Sequence, residues 1–173
     1  MFERVHEHRR EQERHTGLLE YQVNSPAEHQ QSTFAAGASI RISGVGLDMQ
    51  SISQALGHAP SHTHKRGEFN LLNEPYDTDM WILRSSLDGK QELDAHLSWL
   101  GAALLPHRDY ILKLREKFNV DIYCYKTCYT EQASLDISSQ TLRIFTELDL
   151  KLGVSLIFLP EGDTDPKNAN DLM

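Results

Sequence analysis

Apolar and polar residues alternate singly from Ala38 through Ile40 and Ile42, with Ser39, Arg41 and Ser43 between them, which predicts a strand with one buried face. The spacing then changes to the helical repeat. Met49, Ile52, Ala55 and Leu56 follow Asp48, a good N-cap, and stop at Gly57, so a short amphipathic helix is expected there. Strand alternation returns over Met80–Arg84, where Trp81 and Leu83 oppose Met80, Ile82 and Arg84. The longest helical stripe runs from Gln91 to Phe118 through Leu93, Leu97, Leu100, Leu104, Ile111 and Leu114. Pro106 lacks an amide hydrogen and clashes with the preceding turn, so it must kink or split this helix. Val120, Ile122 and Cys124 alternate with Asp121, Tyr123 and Tyr125 in a third strand that extends toward Tyr129. Ser138 or Ser139 caps a last helix that carries Leu142, Phe145, Leu148 and Leu152 and ends at Gly153. The nearly continuous apolar run Val154–Leu159 reads as a central strand.

The connection His58–Pro75 fits neither period and is rich in His, Gly and Asn, with Phe69, Leu71 and Leu72 expected to turn inward; loops of this length often carry function. Residues 1–37 form a polar extension in which Phe2–Arg14 offers a helix with little apolar stripe and Leu19, Tyr21 and Val23 offer a short added strand. Residues 160–173 are acidic and polar and read as a mobile tail. Residues 38–159 are therefore expected to be one α+β domain: an antiparallel or mixed sheet of four or five strands, helices packed on one face, ferredoxin-like in arrangement.

Composition supports one core, since 173 residues of which 39% are hydrophobic suit a single domain with polar extensions. The net charge of -8 argues against tight nonspecific binding to nucleic acid or an anionic membrane, which would need Lys and Arg to neutralise phosphates, and it favours a basic protein partner. Cys124 and Cys128 are four residues apart in a predicted strand, about 13 Å between Cα atoms, so they are expected to be free thiols. Met1–Glu13 is dense in charge and has no apolar signal region, and no stretch reaches the roughly 18 apolar residues of a membrane span, so a cytoplasmic location is expected.

The order Ile40-Arg41-Ile42-Ser43-Gly44, Leu47-Asp48, Leu56-Gly57, Pro60, Lys65-Arg66-Gly67-Glu68, Met80-Trp81, Leu93, His96-Leu97, Trp99-Leu100 and Leu105-Pro106 resembles the bacterial domain of unknown function numbered 4279. The resemblance covers about residues 38–159 and rests on spaced single residues. It implies no particular enzymatic activity. Some relatives are suspected of acting in toxin, immunity or defence settings, which implies protein binding.

Several residues could carry chemistry. His58, His62 and His64 are the nearest approach to a metal site, because residues two apart on an extended chain project to one side and imidazole is a good zinc ligand. Neither an HExxH helix nor a CxxC pair completes the set, with Glu68 or Asp79 as the further ligand if the loop folds back; solvent-exposed loop histidines are the plainer expectation. In Lys65-Arg66-Gly67 the glycine permits a tight turn that offers backbone N–H groups and a cation to an anion; the plainer alternative is a β-turn whose Lys or Arg side chain pairs with a carboxylate to fix the loop against the sheet. Gly44-Val45-Gly46 lacks the remaining features of a dinucleotide fingerprint, so no cofactor is expected. His96 is expected at the edge of a packed face, in an i,i+4 surface pair with Glu92, and the cysteines as small buried hydrophobes.

With all helices on one face, the other face of the sheet would present Arg41, Tyr123 and Tyr125, with Arg84 and Tyr129 as neighbours. Tyr and Arg are the residue types that dominate interface hot spots. The leading expectation is thus a non-enzymatic protein-binding domain of the immunity or defence kind, with a basic partner protein on that face; the plainer alternatives are that the N-terminal strand and arm fold over it or that a second copy packs there in a homodimer. Alternatives are a small-ligand or anion sensor built on the 58–75 loop and a metal-dependent hydrolase built on its histidines.

Overall fold

Single alternation of apolar side chains makes the first strand, β1 (Ala35–Gly44), and its buried residues Ala36, Ala38, Ile40 and Ile42 all point to one face. The structure, a computed structural model, describes residues 35–128 and 134–159; the expected N-terminal helix and strand, Tyr129 and the acidic tail lie outside them. Helix α1 (Met49–Leu56) begins where the Asp48 carboxylate accepts the Ser51 amide at 3.0 Å and ends at Gly57, whose φ of 67° only glycine adopts freely. A three-residue strand β2 (His62–His64) and strand β3 (Asp79–Arg84) follow. Helix α2 (Leu93–Leu104) gives way at Pro106 to a 3-10 turn, Leu105–His107, before α3 (Arg108–Arg115), so the proline splits the long helical stripe as expected. Strand β4 (Asn119–Cys128), helix α4 (Ser139–Glu147), capped by Ser138, and strand β5 (Lys151–Phe158) complete the chain.

The five strands form a mixed sheet in the order β2-β3-β1-β4-β5. Strand β1 is central and antiparallel to both β3 and β4, β2 is antiparallel to β3, and β4 and β5 run parallel across the α4 connection. The α+β class and the mixed five-stranded sheet agree with the sequence reading, and the ferredoxin-like likeness is one of layering: the parallel β4–β5 pair gives this sheet an order of its own. The core takes its sheet residues from one face only, Ala36, Ala38, Ile40, Ile42, Trp81, Leu83, Val120, Ile122 and Cys124, and closes them under Ile52, Leu56, Leu97, Leu100, Leu104, Ile111 and Phe145 from the four helices.

Three local expectations are corrected. The α4 helix stops at Glu147, well before Gly153, because Asp149 takes a left-handed φ of 51° and the Leu150 amide closes back on the Phe145 carbonyl, which releases Leu152 into β5. Strand β5 is not central: it is the last strand of the described sheet, and Val154, Leu156 and Phe158 remain 40%, 43% and 54% exposed. These three side chains lie on the helix side of the sheet beyond the reach of full cover, which local hydrophobicity cannot reveal. Phe69, Leu71 and Leu72 do not turn inward; they stand exposed on a loop held by its own bonds, with the Asn70 side chain accepting the Leu72 and Glu74 amides.

Candidate functional site

Among the described residues no helix covers the other face of the sheet, its open face, where Ser39 and Thr127 are buried and Arg41, Arg84, Tyr123 and Tyr125 half-buried; antiparallel register places its side chains in rows. Arg84, Ser39 and Tyr123 are opposite one another across β3, β1 and β4; Ile82, Arg41 and Asp121 form the next row, and Gly37 lies opposite Tyr125. Arg41 donates from Nε to the Asp121 carboxylate at 2.8 Å, and its guanidinium also lies over the Tyr123 ring, 4.6 Å from the centroid. Asn119 donates to the other Asp121 oxygen at 3.1 Å. Tyr125 lies across Gly37, where a Cβ would stand 2.6 Å from its ring, so the glycine makes the bed for that aromatic. Burial pushes the Tyr125 hydroxyl above its ordinary pKa, opposed by the nearby Arg84 charge and reinforced by Tyr123. Four of the predicted face residues, Arg41, Arg84, Tyr123 and Tyr125, therefore share one face. Asp121, which orients Arg41, was missed as a partner although it alternates in phase with Tyr123 and Tyr125.

The turn at Lys65-Arg66-Gly67 is built around Asp79. This buried carboxylate at the start of β3 accepts the Gly46 and Leu47 amides at 2.7 and 2.9 Å with one oxygen and the Arg66 amide at 2.9 Å with the other. The Lys65 amide goes to Glu68, the Gly67 amide to the Tyr76 carbonyl, and Lys65 Nζ to the Leu47 carbonyl at 2.8 Å. Three amide donors, the Arg66 N–H foremost, hold the Asp79 carboxyl below the usual carboxylate range against the opposing effect of burial. The backbone donors that an external anion would use thus already have partners within the chain. Asp79 is a structural pin here, and the sequence signal for it was only its position at the head of a strand.

The histidines divide. His58 packs against Trp99 of α2 with ring centroids 5.9 Å apart, while His62 and His64 face each other on β2 with Nε2 of the first 3.3 Å from Nδ1 of the second. His64 is buried and stacks on Tyr76, centroids 3.5 Å apart and planes within 7°. Burial and then the neighbouring His62 lower the His64 pKa, against the pull of Glu68 and Asp79. Among the described residues no group of three His, Cys, Asp or Glu side chains is placed to hold a metal ion.

His96 is corrected from a surface position to a buried one, 1% exposed. Its Nδ1 meets the Ser85 hydroxyl at 3.0 Å, its buried Nε2 has no partner within hydrogen-bonding distance among the described residues, and burial lowers its pKa against the opposing pull of the Asp88 and Gln91 backbone and the Asp88 charge. Glu92 pairs instead with Lys126, at 3.2 Å, whose side chain lies on the helix side of β4. Both cysteines are buried free thiols, as expected, and burial raises Cys124 to about 11. No described helix is long and apolar enough to cross a membrane.

Residues 32–159 match the family profile of a domain of unknown function, DUF4279. The chain belongs to that family. No curated protein and no solved structure matches it. The family match covers the whole described sheet, so the open face and the loop of residues 58–75 are parts of the DUF4279 domain rather than additions to it.

Proposed function

We propose that this DUF4279 domain is a non-enzymatic protein-binding module whose contact surface is the open face of its sheet. The observation that carries the reading is the side-by-side placement of Arg41, Tyr123, Tyr125 and Arg84 across three strands, with Asp121 fixing the Arg41 fork in place. A guanidinium held by a carboxylate and laid on an aromatic ring loses little side-chain freedom when a partner docks, which lowers the entropic cost of binding. The net charge of -8 steers a basic partner toward the molecule, and the resemblance to defence-associated relatives makes an immunity-type role, in which the domain occludes its partner, the specific form of the proposal.

The test is affinity capture with the tagged full chain and an Arg41→Ala/Tyr123→Ala variant, at low and high salt. A basic protein retained in stoichiometric amount by the first, released by salt and absent from the second supports the reading. A partner retained equally by the variant places the contact surface elsewhere.

The anion-sensor reading has a weaker footing because Asp79, Glu68 and Tyr76 occupy the amides of the turn. Its test is thermal stabilisation by phosphate compounds that disappears in Arg66→Ala. The hydrolase reading would need further ligands from beyond the described residues, with hydrolysis dependent on His62 as its measurement.

A further inference from the structure

The short strand β2 holds the least explained arrangement in the molecule. His62 and His64 are two residues apart, and their pairing with Ile82 and Met80 of β3 turns both to the open face, while Thr63 between them is opposite Trp81. The ring nitrogens that face each other, His62 Nε2 and His64 Nδ1, are 3.3 Å apart. Two nitrogens bound to one tetrahedral zinc at about 2.05 Å stand about 3.3–3.4 Å from each other. A neutral pair holds that spacing through one shared hydrogen, and the centroid separation of 5.6 Å aims the two nitrogens at each other in just that way; a metal ion needs the same spacing with the His62 ring swung so that both lone pairs converge on it.

The two rings are also unequal in a useful way. His64 is buried and clamped face to face on Tyr76, so its orientation is set before anything binds, whereas His62 is exposed and open to solvent. A fixed inner ligand and an exposed outer one that can swing to meet the ion give a chelate with an entry path.

We propose that His62 Nε2 and His64 Nδ1 form a two-histidine chelate for a late first-row divalent ion such as Cu2+, Ni2+ or Zn2+. The other coordination positions are filled by water or by a donor atom of another molecule. His58, turned to Trp99, takes no part. Imidazole nitrogens favour these ions over Mg2+ and Ca2+, which prefer oxygen, and the usual order of stability makes Cu2+ tighter than Zn2+. The proposal is independent of the protein-binding reading, because it concerns β2 and needs neither Arg41 nor Tyr123.

The experiment is Zn2+ titration of the full chain in a non-coordinating buffer, followed by the side-chain nitrogen NMR signals of each histidine. Resolving the rings matters because the chain has nine histidines, including His6 and His8, which are spaced like the proposed pair. The expected result is that the His62 and His64 signals move together, that Mg2+ moves neither, and that His58→Ala changes nothing. His62→Ala removes an exposed ring and should leave the backbone amide spectrum native while abolishing the Zn2+ response of His64. A His64 response that survives His62→Ala, or no response of either ring at millimolar Zn2+, overturns the chelate and leaves a simple hydrogen-bonded pair.

Discussion

The two faces of the sheet are built from the same three strands and differ in what holds them. On the helix side Ile40, Ile42, Trp81 and Ile122 are fully buried and make no use of charge; Trp81 alone adds a hydrogen bond, from Nε1 to Ser53 Oγ at 3.0 Å. On the open side the neighbouring positions hold Arg41, Asp121, Tyr123 and Tyr125, joined by one ion pair, one cation–ring contact and one aromatic bed on glycine. The first face derives its stability from area removed from water, the second from directed contacts that water partly screens. Their difference teaches where tolerance lies: a substitution on the helix side acts strongly on folding, and one on the open side removes screened contacts at a smaller cost.

The sharpest break of that contrast is Trp81→Ala, which removes the largest fully buried side chain and should cost about 3–5 kcal/mol, read as a lowered midpoint in denaturant unfolding. A loss near zero would mean that the helix layer does not close on the sheet as described. Next comes Asp79→Ala, in phase with Trp81 on β3. It strands three backbone donors and should cost about 1–3 kcal/mol, with loosened hydrogen exchange at Gly46, Leu47 and Arg66. Because the folded pKa of Asp79 lies below its unfolded value, its contribution is present above about pH 4 and fades as the pH falls through the folded value; Asp79→Asn should weaken that acid sensitivity.

Arg41→Ala should change stability by about 1 kcal/mol or less while removing partner binding, which is the signature expected of the open face and not of the closed one. A large stability loss with binding intact would reverse the assignment of the two faces. The smallest expected effect is the pH response of His96. Its folded pKa is lowered by burial, so the unfolded chain takes up a proton first as the pH falls below about 6.5, and stability, complete above that pH, declines toward the lower folded value. Stability curves from pH 5 to 7 should be flatter for His96→Leu than for the unaltered chain.

Much of the scaffold was legible locally. Caps at Asp48 and Ser138, the break at Pro106 and the alternation in β1, β3 and β4 are consequences of neighbours within a few residues, and each stands where periodicity places it. The candidate face was legible to the same degree, because a period of two assigns Arg41, Tyr123 and Tyr125 to one side once the other side is known to be apolar. The partners of those residues were not. That Asp121 meets Arg41, that Asp79 holds two separate turns and that His96 is buried beneath Ser85 depend on strands and loops 80, 32 and 11 residues apart coming together.

The sequence by itself determined the helices, four of the five strands, their order and the family, because these depend on local periodicity and on spaced residue identities; β2 arose in the segment that fits neither period. Tertiary structure alone decided which strand became central, which histidines met and which carboxylate served as a pin. The physical reason is that pairing and burial are properties of what lies across a gap in space. The apolar run of β5 would suit a central strand and sits at a margin, and His58 would suit the His62–His64 pair and packs on Trp99 instead.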